Sequence, residues 1–274
     1  MQYFLGIDGG GTGCRAAVCD ATGRILGQGA AGPANVMSDP DGARANILAA
    51  ADQAAQAAGA RLEDLHAVLG LAGANTSNRQ TALPFATTRV VSDAEIALNG
   101  AFAGQDGIAA TVGTGSVFAC QSGGTVEVIG GWGLILGDEA SGAWMGRELL
   151  SQAVRAADGL VPASPLLTGV TTEMGGPEAI VRFAKEARPV DFGRFAPRIV
   201  AGADDPAATA ILADADRWIC RYIDHLQTGA LPLCFLGGLG AVFALRLAAR
   251  YPGLIRPAAG SALDGALRLA RGAA

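Results

Sequence analysis

The sequence predicts an α/β protein in which one structural unit occurs twice. Short apolar strands alternate with helices along the chain, which is typical of sheets that are at least partly parallel. Two strand–turn–strand segments recur, because Gly113-Thr114-Gly115 follows Gly11-Thr12-Gly13 by 102 residues. A further glycine cluster, FLGGLGA at 235–241, ends another apolar strand and opens a helix.

Composition narrows the function classes. The 274 residues are 50% hydrophobic and 16% charged, with a net charge of −5, so we expect no nucleic-acid partner. No apolar run reaches about 18 residues and no basic segment precedes an apolar one at the start, so we expect no membrane partner and a cytoplasmic location. Five cysteines without a C-x-x-C pair, and only two histidines, disfavour a zinc site or a disulfide framework.

The first half predicts three antiparallel strands, a helix, two further strands and a second helix. The first three strands are too close in sequence for crossover connections, and Gly59 is placed to end the first helix. The predicted elements are strands at 3–8, 14–20 and 24–32, a helix at 41–58, strands at 67–74 and 88–93, and a helix at 94–102.

The second half repeats the three strands within residues 107–133 and then becomes mainly helical. Helices are predicted at 139–157, 177–186, 205–227, 241–251 and 261–272, with a strand at 231–238. Residues 158–176 are rich in proline, glycine and threonine, and we expect a surface excursion there.

The two Gly-Thr-Gly turns are candidate phosphate-binding loops. Glycine lets a ligand approach the main chain closely or takes positive φ, and several amides in one tight turn can point together at an anion. The alternative is an ordinary hairpin turn. The candidate residues are Gly9, Gly10, Gly11, Thr12 and Gly13 in the first loop and Gly113, Thr114, Gly115 and Ser116 in the second.

Asp8 ends the first strand beside the first of these loops. A carboxylate next to phosphates is repulsive unless a cation intervenes, so Asp8 is a candidate for holding Mg²⁺ through water. The alternative is an aspartate that only caps the glycine turn.

The third cluster indicates close approach of a nucleoside to Gly237, Gly238 and Gly240. A Rossmann dinucleotide motif is disfavoured, because the glycine spacing differs and no acidic residue follows about 20 positions later in a βαβ unit. The alternative is tight packing of a helix on a strand.

Several motifs occur together in a familiar order: GIDGGGT at 6–12, SDA at 92–94, GTGS at 113–116, GGWGLILGDEASG at 130–142 and LGGLGA at 236–241. In these motifs the chain resembles the hexokinase, Hsp70 and actin superfamily. More narrowly, it is similar to the branch that holds N-acetylglucosamine kinases, bacterial glucosamine kinases and BadF/BadG-type ATPases.

That resemblance implies two RNase H-like (actin-like ATPase) lobes with an interlobe cleft. One lobe would comprise residues 1–105, completed by the C-terminal helix at 260–274, and the other residues 106–259. ATP and Mg²⁺ would be the cofactors, and members of the branch often form homodimers.

The same resemblance implies that Asp93 takes a proton from a sugar hydroxyl and contacts the sugar together with Asn35, Gly131 and Asp138. General-base chemistry supports Asp93 independently, because a kinase needs one carboxylate near its nucleophile. The alternative for Asp93 is an N-cap of the helix at 94–102.

Two neighbouring side chains are less specific. Trp132 could stack under a pyranose, but a tryptophan on a strand is more often buried, so we expect a structural role. Glu139 could contact sugar or place a negative charge at the start of its helix.

The sequence therefore predicts an ATP-dependent kinase that phosphorylates an amino sugar, either N-acetylglucosamine or glucosamine, and favours O6 as the acceptor. One alternative is an ATPase that drives a partner protein, which the absence of suitably placed cysteines disfavours. Another is a sugar sensor without catalysis, which the presence of Asp93 disfavours.

Overall fold

A computed structural model describes residues 2–73 and 83–272 of the chain. By its internal contacts the chain divides into two compact units. Unit 1 comprises Met1–Ala109, Ala119–Glu127 and Pro257–Ala274, and unit 2 comprises Ala110–Phe118 and Val128–Arg256. The predicted strand at 67–74 reaches Ala74, which lies outside the described residues, and the strand that is described there ends at Leu71.

Unit 1 contains a five-stranded mixed sheet in the order β3-β2-β1-β4-β5. The first three strands are antiparallel neighbours, as predicted, whereas β4 runs parallel to β1 and β5 runs parallel to β4. The strands are β1 (Tyr3–Gly9), β2 (Cys14–Cys19), β3 (Ile25–Ala31), β4 (Leu65–Leu71) and β5 (Thr87–Ser92).

One face of this sheet is covered by α1 (Pro40–Ala58), which Asp39 caps at its start and Gly59 ends with a φ of 66°. The helix lies very close to β3, since a β-carbon at Gly27 or Gly29 would meet α1 carbonyl oxygens at 2.1 Å. Small residues on both elements permit this approach, and the alanine-rich face of α1 joins Leu5, Ile7 and Leu69 in the core.

The other face is covered by α2 (Asp93–Phe102) and α10 (Ala262–Gly272). Gly265 and Gly100 let their backbones meet, because a β-carbon at either residue would lie 2.0 Å from a carbonyl oxygen of the opposite segment. Phe4, Val68 and Leu267 belong to the core on this side of the sheet.

The second sheet has four strands in the order β8-β7-β6-β9, which is the order β3-β2-β1-β4 of the first sheet. A duplicated unit predicts this agreement. The strands are β6 (Gly107–Val112), β7 (Ser116–Ser122), β8 (Thr125–Gly130) and β9 (Leu233–Leu236).

The helices of unit 2 differ from prediction at four places. The helix predicted at 241–251 ends at Arg246. The predicted surface excursion at 158–176 is wrong, because α4 forms there, capped by Ser164, and buries Leu166, Leu167 and Val170. Two short helices, α6 and α7, were not predicted, and α3 begins three residues late because Ser141 caps it. The helices are α3 (Gly142–Ala157), α4 (Pro165–Met174), α5 (Pro177–Glu186), α6 (Pro189–Gly193), α7 (Ala196–Ala201), α8 (Pro206–Leu226) and α9 (Gly240–Arg246).

Within residues 2–73 and 83–272, every helix is too short or too polar to cross a bilayer.

Candidate active site

Two carboxylates lie at one edge of the five-stranded sheet. Since β1, β4 and β5 are parallel, their carboxyl ends share that edge, where open α/β sheets bind ligands. Asp8 is the penultimate residue of β1, and Asp93 follows the last residue of β5. The charge of Asp8 contributes to raising the pKa of Asp93, so the two groups interact.

The first glycine loop lies at the same edge and joins β1 to β2. The Gly10 amide donates to the Gly13 carbonyl at 2.9 Å, which closes the turn. None of its glycines takes a positive φ, so left-handed backbone is not the reason for glycine here. A β-carbon at Gly11 would meet nothing within 4 Å, and at Gly10 or Gly13 only one carbonyl oxygen at 3.7–3.8 Å. The fold therefore does not require glycine at 10, 11 or 13, whereas close approach of a ligand would.

Gly9 differs from the rest of this loop. A β-carbon there would lie 2.7 Å from Leu71 and 3.0 Å from Ala34, so packing alone accounts for its small size. Thr12 is exposed, and its hydroxyl faces no such packing constraint. The phosphate-binding role of all five residues stays a prediction.

Arg15 is a charged partner of Asp8 that the sequence analysis missed. The two residues are directly opposite in the β1–β2 ladder, and Arg15 Nη2 lies 2.5 Å from Asp8 Oδ2. The aspartate side chain is 16% exposed and the arginine 61%, so the guanidinium is open to solvent beside the glycine loop. Hairpin register was the available signal, because a four-residue turn at 10–13 pairs residue 8 with residue 15.

Asp93 is the first residue of α2 and is half-buried. The N-cap is Ser92, whose hydroxyl accepts from the Glu95 amide at 3.1 Å, so the capping role considered for Asp93 belongs to its neighbour. Burial raises the pKa of Asp93, the Asp8 charge adds to that rise, and the hydrogen bond from the Ala94 amide opposes it. A carboxylate in such surroundings is a stronger proton acceptor than an exposed aspartate.

Asn35 belongs to a loop that is fastened to this edge. The Ala34 amide donates to the Gly10 carbonyl at 2.8 Å, and the Val36 amide donates to the Ala72 carbonyl at 3.2 Å. The Asn35 side-chain oxygen accepts from the amides of Met37 and Ser38 at 3.0 and 3.2 Å. That turn fixes the side chain, and its contact with sugar stays a prediction.

The residues at this edge fit a hydrated Mg²⁺. Only one oxygen of Asp8, Oδ2, is paired with Arg15, and Asp93 follows β5 at the same edge of the sheet. Within the described residues no group of three or more acidic, histidine or cysteine side chains forms a protein cage. Mg²⁺ typically keeps several waters and uses one or two carboxylates plus substrate phosphates, which this donor set allows.

In unit 2 the second glycine loop, residues 113–115, joins β6 to β7. Its carbonyls are held by the start of α3, since the Gly142 amide donates to Gly113 at 2.8 Å and the Ala143 amide to Thr114 at 3.1 Å. Thr114 is exposed. A β-carbon at Gly115 would lie 2.8 Å from Asp138 Oδ2, so this loop and Asp138 are neighbours.

Asp138 is 8% exposed and has a φ of 54°. Its Oδ1 accepts from the Gly133 amide at 3.2 Å. Burial raises the pKa of Asp138, and hydrogen bonds from the amides of Gly133 and Ser116 act in the opposite direction. Gly131 is exposed in the same loop and takes a φ of 71°. Asp138 is thus a buried carboxylate and also a non-glycine residue with positive φ, and residues in such conformations cluster at functional sites.

The third glycine cluster contains two kinds of glycine. A β-carbon at Gly237, where φ is 82°, would lie 2.4 Å from the Val112 carbonyl oxygen, and one at Gly240 would lie 2.9 Å from the Phe235 backbone. Packing therefore explains both. Gly238 has open space around it, and a β-carbon at Gly113 would lie 3.9 Å from the Gly238 nitrogen. The structure therefore brings the second glycine loop and the predicted nucleoside motif together.

Ser116 and Glu139 form an internal network. The Ser116 hydroxyl donates to the Glu139 carbonyl at 2.7 Å, and the serine is 4% exposed, so this hydroxyl has a structural partner. The Glu139 side chain accepts from the Tyr222 hydroxyl at 2.8 Å. Glu139 precedes the Ser141 cap, so it is not in the first turn of α3.

The expected structural role of Trp132 is wrong. Its side chain is 67% exposed, and Ile135 and Leu136 in the same loop are exposed as well. The tryptophan lies in the connection between β8 and α3 rather than on a strand.

Comparison with known proteins identifies relatives over most of the chain. The sequence is 35% identical over 251 residues to the glucosamine kinase GspK of Vibrio cholerae, covering 87% of this chain and 85% of that protein. A solved structure from Chromobacterium violaceum, provisionally assigned as an N-acetylglucosamine kinase, superposes with a TM-score of 0.88 at 31% identity and covers 98% of this chain and 99% of its own.

A glucokinase of the ROK family from Streptomyces griseus, solved with glucose and AMPPNP, has a TM-score of 0.58 at 21% identity and covers 98% of this chain and 99% of its own, which shows likeness of fold. The predicted fold class, α/β of the two-lobed actin-like ATPase type, is confirmed. Residues 5–240 match the BadF/BadG/BcrA/BcrD ATPase family. The chain belongs to the BadF/BadG/BcrA/BcrD ATPase family.

Proposed function

We propose that the protein is an ATP-dependent amino-sugar kinase that transfers the γ-phosphoryl group to a hexosamine hydroxyl, with O6 as the acceptor. The observation that carries the chemistry is Asp93, a half-buried carboxylate with a raised pKa at the sheet edge that also holds a glycine loop. Similarity to a glucosamine kinase over 87% of the chain supports the substrate class.

In the proposed reaction Asp93 accepts the proton of the sugar hydroxyl as that oxygen attacks the γ-phosphorus. The new oxygen–phosphorus bond forms while the bond to the β-phosphate bridging oxygen breaks, and ADP leaves. Asp93 then releases its proton to solvent. Proton transfer to a placed carboxylate contributes roughly 10² to 10⁴ in rate, and charge stabilisation and positioning contribute the rest.

The phosphates of ATP are bound by the two glycine loops. Amides of residues 11–13 and 114–115 donate hydrogen bonds to them, whereas the amides of Gly10 and Gly113 close the two turns. The exposed residues Thr12 and Thr114 offer hydroxyls for the same purpose, and open space at Gly238 admits the nucleoside. Arg15 adds positive charge next to Asp8. When bound through Asp8 and water, Mg²⁺ supplies neutralisation of phosphate charge.

Sugar recognition is assigned to Asn35, Asp93, Gly131 and Asp138. Buried carboxylates accept hydrogen bonds from hydroxyls in fixed directions, and Asp138 would also suit the ammonium group of glucosamine. The exposed ring of Trp132 offers an apolar surface for the carbon–hydrogen face of a pyranose. We also propose the lobe boundaries 1–105 with 260–274 and 106–259, a homodimer, and a cytoplasmic location.

A coupled assay of ADP release tests the proposal with ATP, Mg²⁺ and a panel of hexosamines and hexoses. Turnover that requires glucosamine or N-acetylglucosamine, with a phosphorylated sugar identified by mass spectrometry, supports it. Turnover without sugar would instead favour an ATPase that drives a partner protein. Absence of turnover with every sugar would favour a sugar sensor without catalysis. Where a phosphorylated sugar forms, phosphorus NMR of that product identifies the acceptor oxygen.

A further inference from the structure

The segment 130–140, which carries Gly131 and Asp138, has an unusual backbone. Five of its residues have positive φ, and two of them, Asp138 at 54° and Ala140 at 67°, are not glycine. Ala140 is fully buried, so solvent exposure does not explain its conformation. Such a backbone persists only when surrounding contacts hold it in place.

Tyr222 of α8 contacts both ends of this segment. Its hydroxyl donates to Glu139 Oε2 at 2.8 Å, across 83 positions of sequence. A β-carbon at Gly130 would lie 3.7 Å from Tyr222 Cε1, which places the tyrosine ring beside the other end. The ring is itself fixed, because it stacks on Phe118 with centroids 4.4 Å apart and planes 11° from parallel.

Glu139 is therefore held at two points. Its carbonyl accepts from the Ser116 hydroxyl on β7, and its carboxylate accepts from Tyr222 on α8. Glu139 directly follows Asp138, so fixing one residue restricts the φ and ψ of the other. Burial, together with the hydrogen bond to Glu139, raises the pKa of Tyr222, and its hydroxyl stays a donor at neutral pH.

We infer that the Tyr222–Glu139 hydrogen bond holds segment 130–140 in the conformation that presents Asp138, which makes Tyr222 a positioning residue for the amino sugar. This inference rests on the proposed function for its effect on catalysis. The part that concerns the segment itself does not depend on which substrate the protein takes.

Tyr222→Phe is the direct test, because it removes the hydroxyl and keeps the ring that stacks on Phe118. Tyr251→Phe is the matched control: the Tyr251 hydroxyl also donates to a carboxylate of unit 2, Asp224 Oδ1 at 2.9 Å, but outside segment 130–140. Each variant loses a hydrogen bond to a charged acceptor, and Tyr251→Phe also loses the interaction with the Cys220 thiol, so its loss of stability should be at least as large as that of Tyr222→Phe.

In Tyr222→Phe we expect KM for the amino sugar to rise about tenfold, with KM for ATP within twofold of wild type. Glu139→Gln keeps an acceptor for the Tyr222 hydroxyl and should retain most of the wild-type affinity for the amino sugar. Glu139→Ala removes that acceptor and should behave like Tyr222→Phe. The double variant Tyr222→Phe/Glu139→Ala should be no worse than Glu139→Ala alone, since both changes remove one interaction.

Amide hydrogen exchange gives a readout that is independent of activity. Peptides within 130–140 should exchange faster in Tyr222→Phe than in wild type or Tyr251→Phe. If residues 130–140 exchange at the same rate in Tyr222→Phe as in wild type, the inference is overturned. It is also overturned if the KM values for sugar and for ATP rise equally, and by the same factor in Tyr222→Phe and Tyr251→Phe. If the wild-type protein phosphorylates no amino sugar, the proposed function fails, and the exchange result still decides whether Tyr222 holds the segment.

Discussion

In the hairpin β1–β2 the strand residues that flank the glycine turn include the charged pair Asp8 and Arg15, whereas the residues 102 positions later, in β6–β7, are Ala110 and Val117. A β-carbon at Gly11 would meet nothing within 4 Å, and one at Gly113 would meet only the Gly238 nitrogen, at 3.9 Å. The strand–turn–strand backbone is thus repeated, but the charged side chains that flank the turn are not.

The two hairpins also differ in how they are fastened. The second loop is tied to the start of α3 by two amide–carbonyl hydrogen bonds and touches Asp138, while the first is tied by Ala34 to the Asn35 loop. In the proposed function unit 1 supplies the proton acceptor, Asp93, and unit 2 supplies a sugar-binding carboxylate, Asp138, so the two units have different proposed roles. The predictions below test that division of roles, from the largest expected effect to the smallest.

Asp93→Asn should lower kcat by roughly 10² or more, because the amide cannot accept the proton of the sugar hydroxyl. The change keeps side-chain size and the acceptor for the Ala94 amide, so calorimetry should still detect binding of ATP and sugar. Near wild-type turnover in this variant would exclude Asp93 as the base.

Asp138→Asn should act on binding rather than on the chemical step. We expect KM for the amino sugar to rise roughly 10- to 100-fold, with kcat reduced much less, since a hydrogen bond to a charged group is lost. Steady-state kinetics with the sugar varied measures both parameters. A fall in kcat as large as that of Asp93→Asn would contradict the division between the two carboxylates.

Gly11→Val and Gly237→Ala separate a glycine that admits a ligand from one that the fold requires. Because Gly11 has no neighbour within 4 Å and no positive φ, valine there should weaken ATP binding by about tenfold with little change in Tm. Gly237→Ala forces a β-carbon to within 2.4 Å of a carbonyl oxygen and should lower the free energy of unfolding by about 2 kcal/mol. Calorimetry measures the loss of ATP affinity, and thermal unfolding measures the loss of stability. A large fall in Tm for Gly11→Val would indicate that the loop at 10–13 is only a structural turn.

The pH dependence of stability should report the buried state of Asp93. Because its pKa is raised, the folded protein holds this proton at pH values where the unfolded chain has lost it. Stability therefore falls as pH rises from the ordinary aspartate pKa through the raised one. The amide of the Asp93→Asn variant cannot ionise, so the Tm of this variant should exceed that of wild type at neutral pH, and the difference should shrink on acidification. A constant difference across pH would contradict a raised pKa.

Sequence patterns predicted the elements of the first sheet closely, since short strands and tight turns depend on neighbours along the chain. They did not predict α4, because a run rich in proline, glycine and threonine resembles a loop until Ser164 and Pro165 are seen as a helix start. Trp132 was expected to be buried, but its side chain is exposed. The sequence could not predict this, because the exposure of a loop residue depends on which distant elements pack against it.

The sequence by itself determined the α/β class, the repeated strand–turn–strand unit, the glycine turns and the acidic residues at strand ends, because strand and helix periodicity and turn chemistry are local properties. Only the tertiary structure decided which glycines have open space and that Tyr222 reaches Glu139 across 83 positions. Contacts of this kind depend on how elements distant in sequence pack together, and no local pattern encodes the distance between two atoms on separate elements.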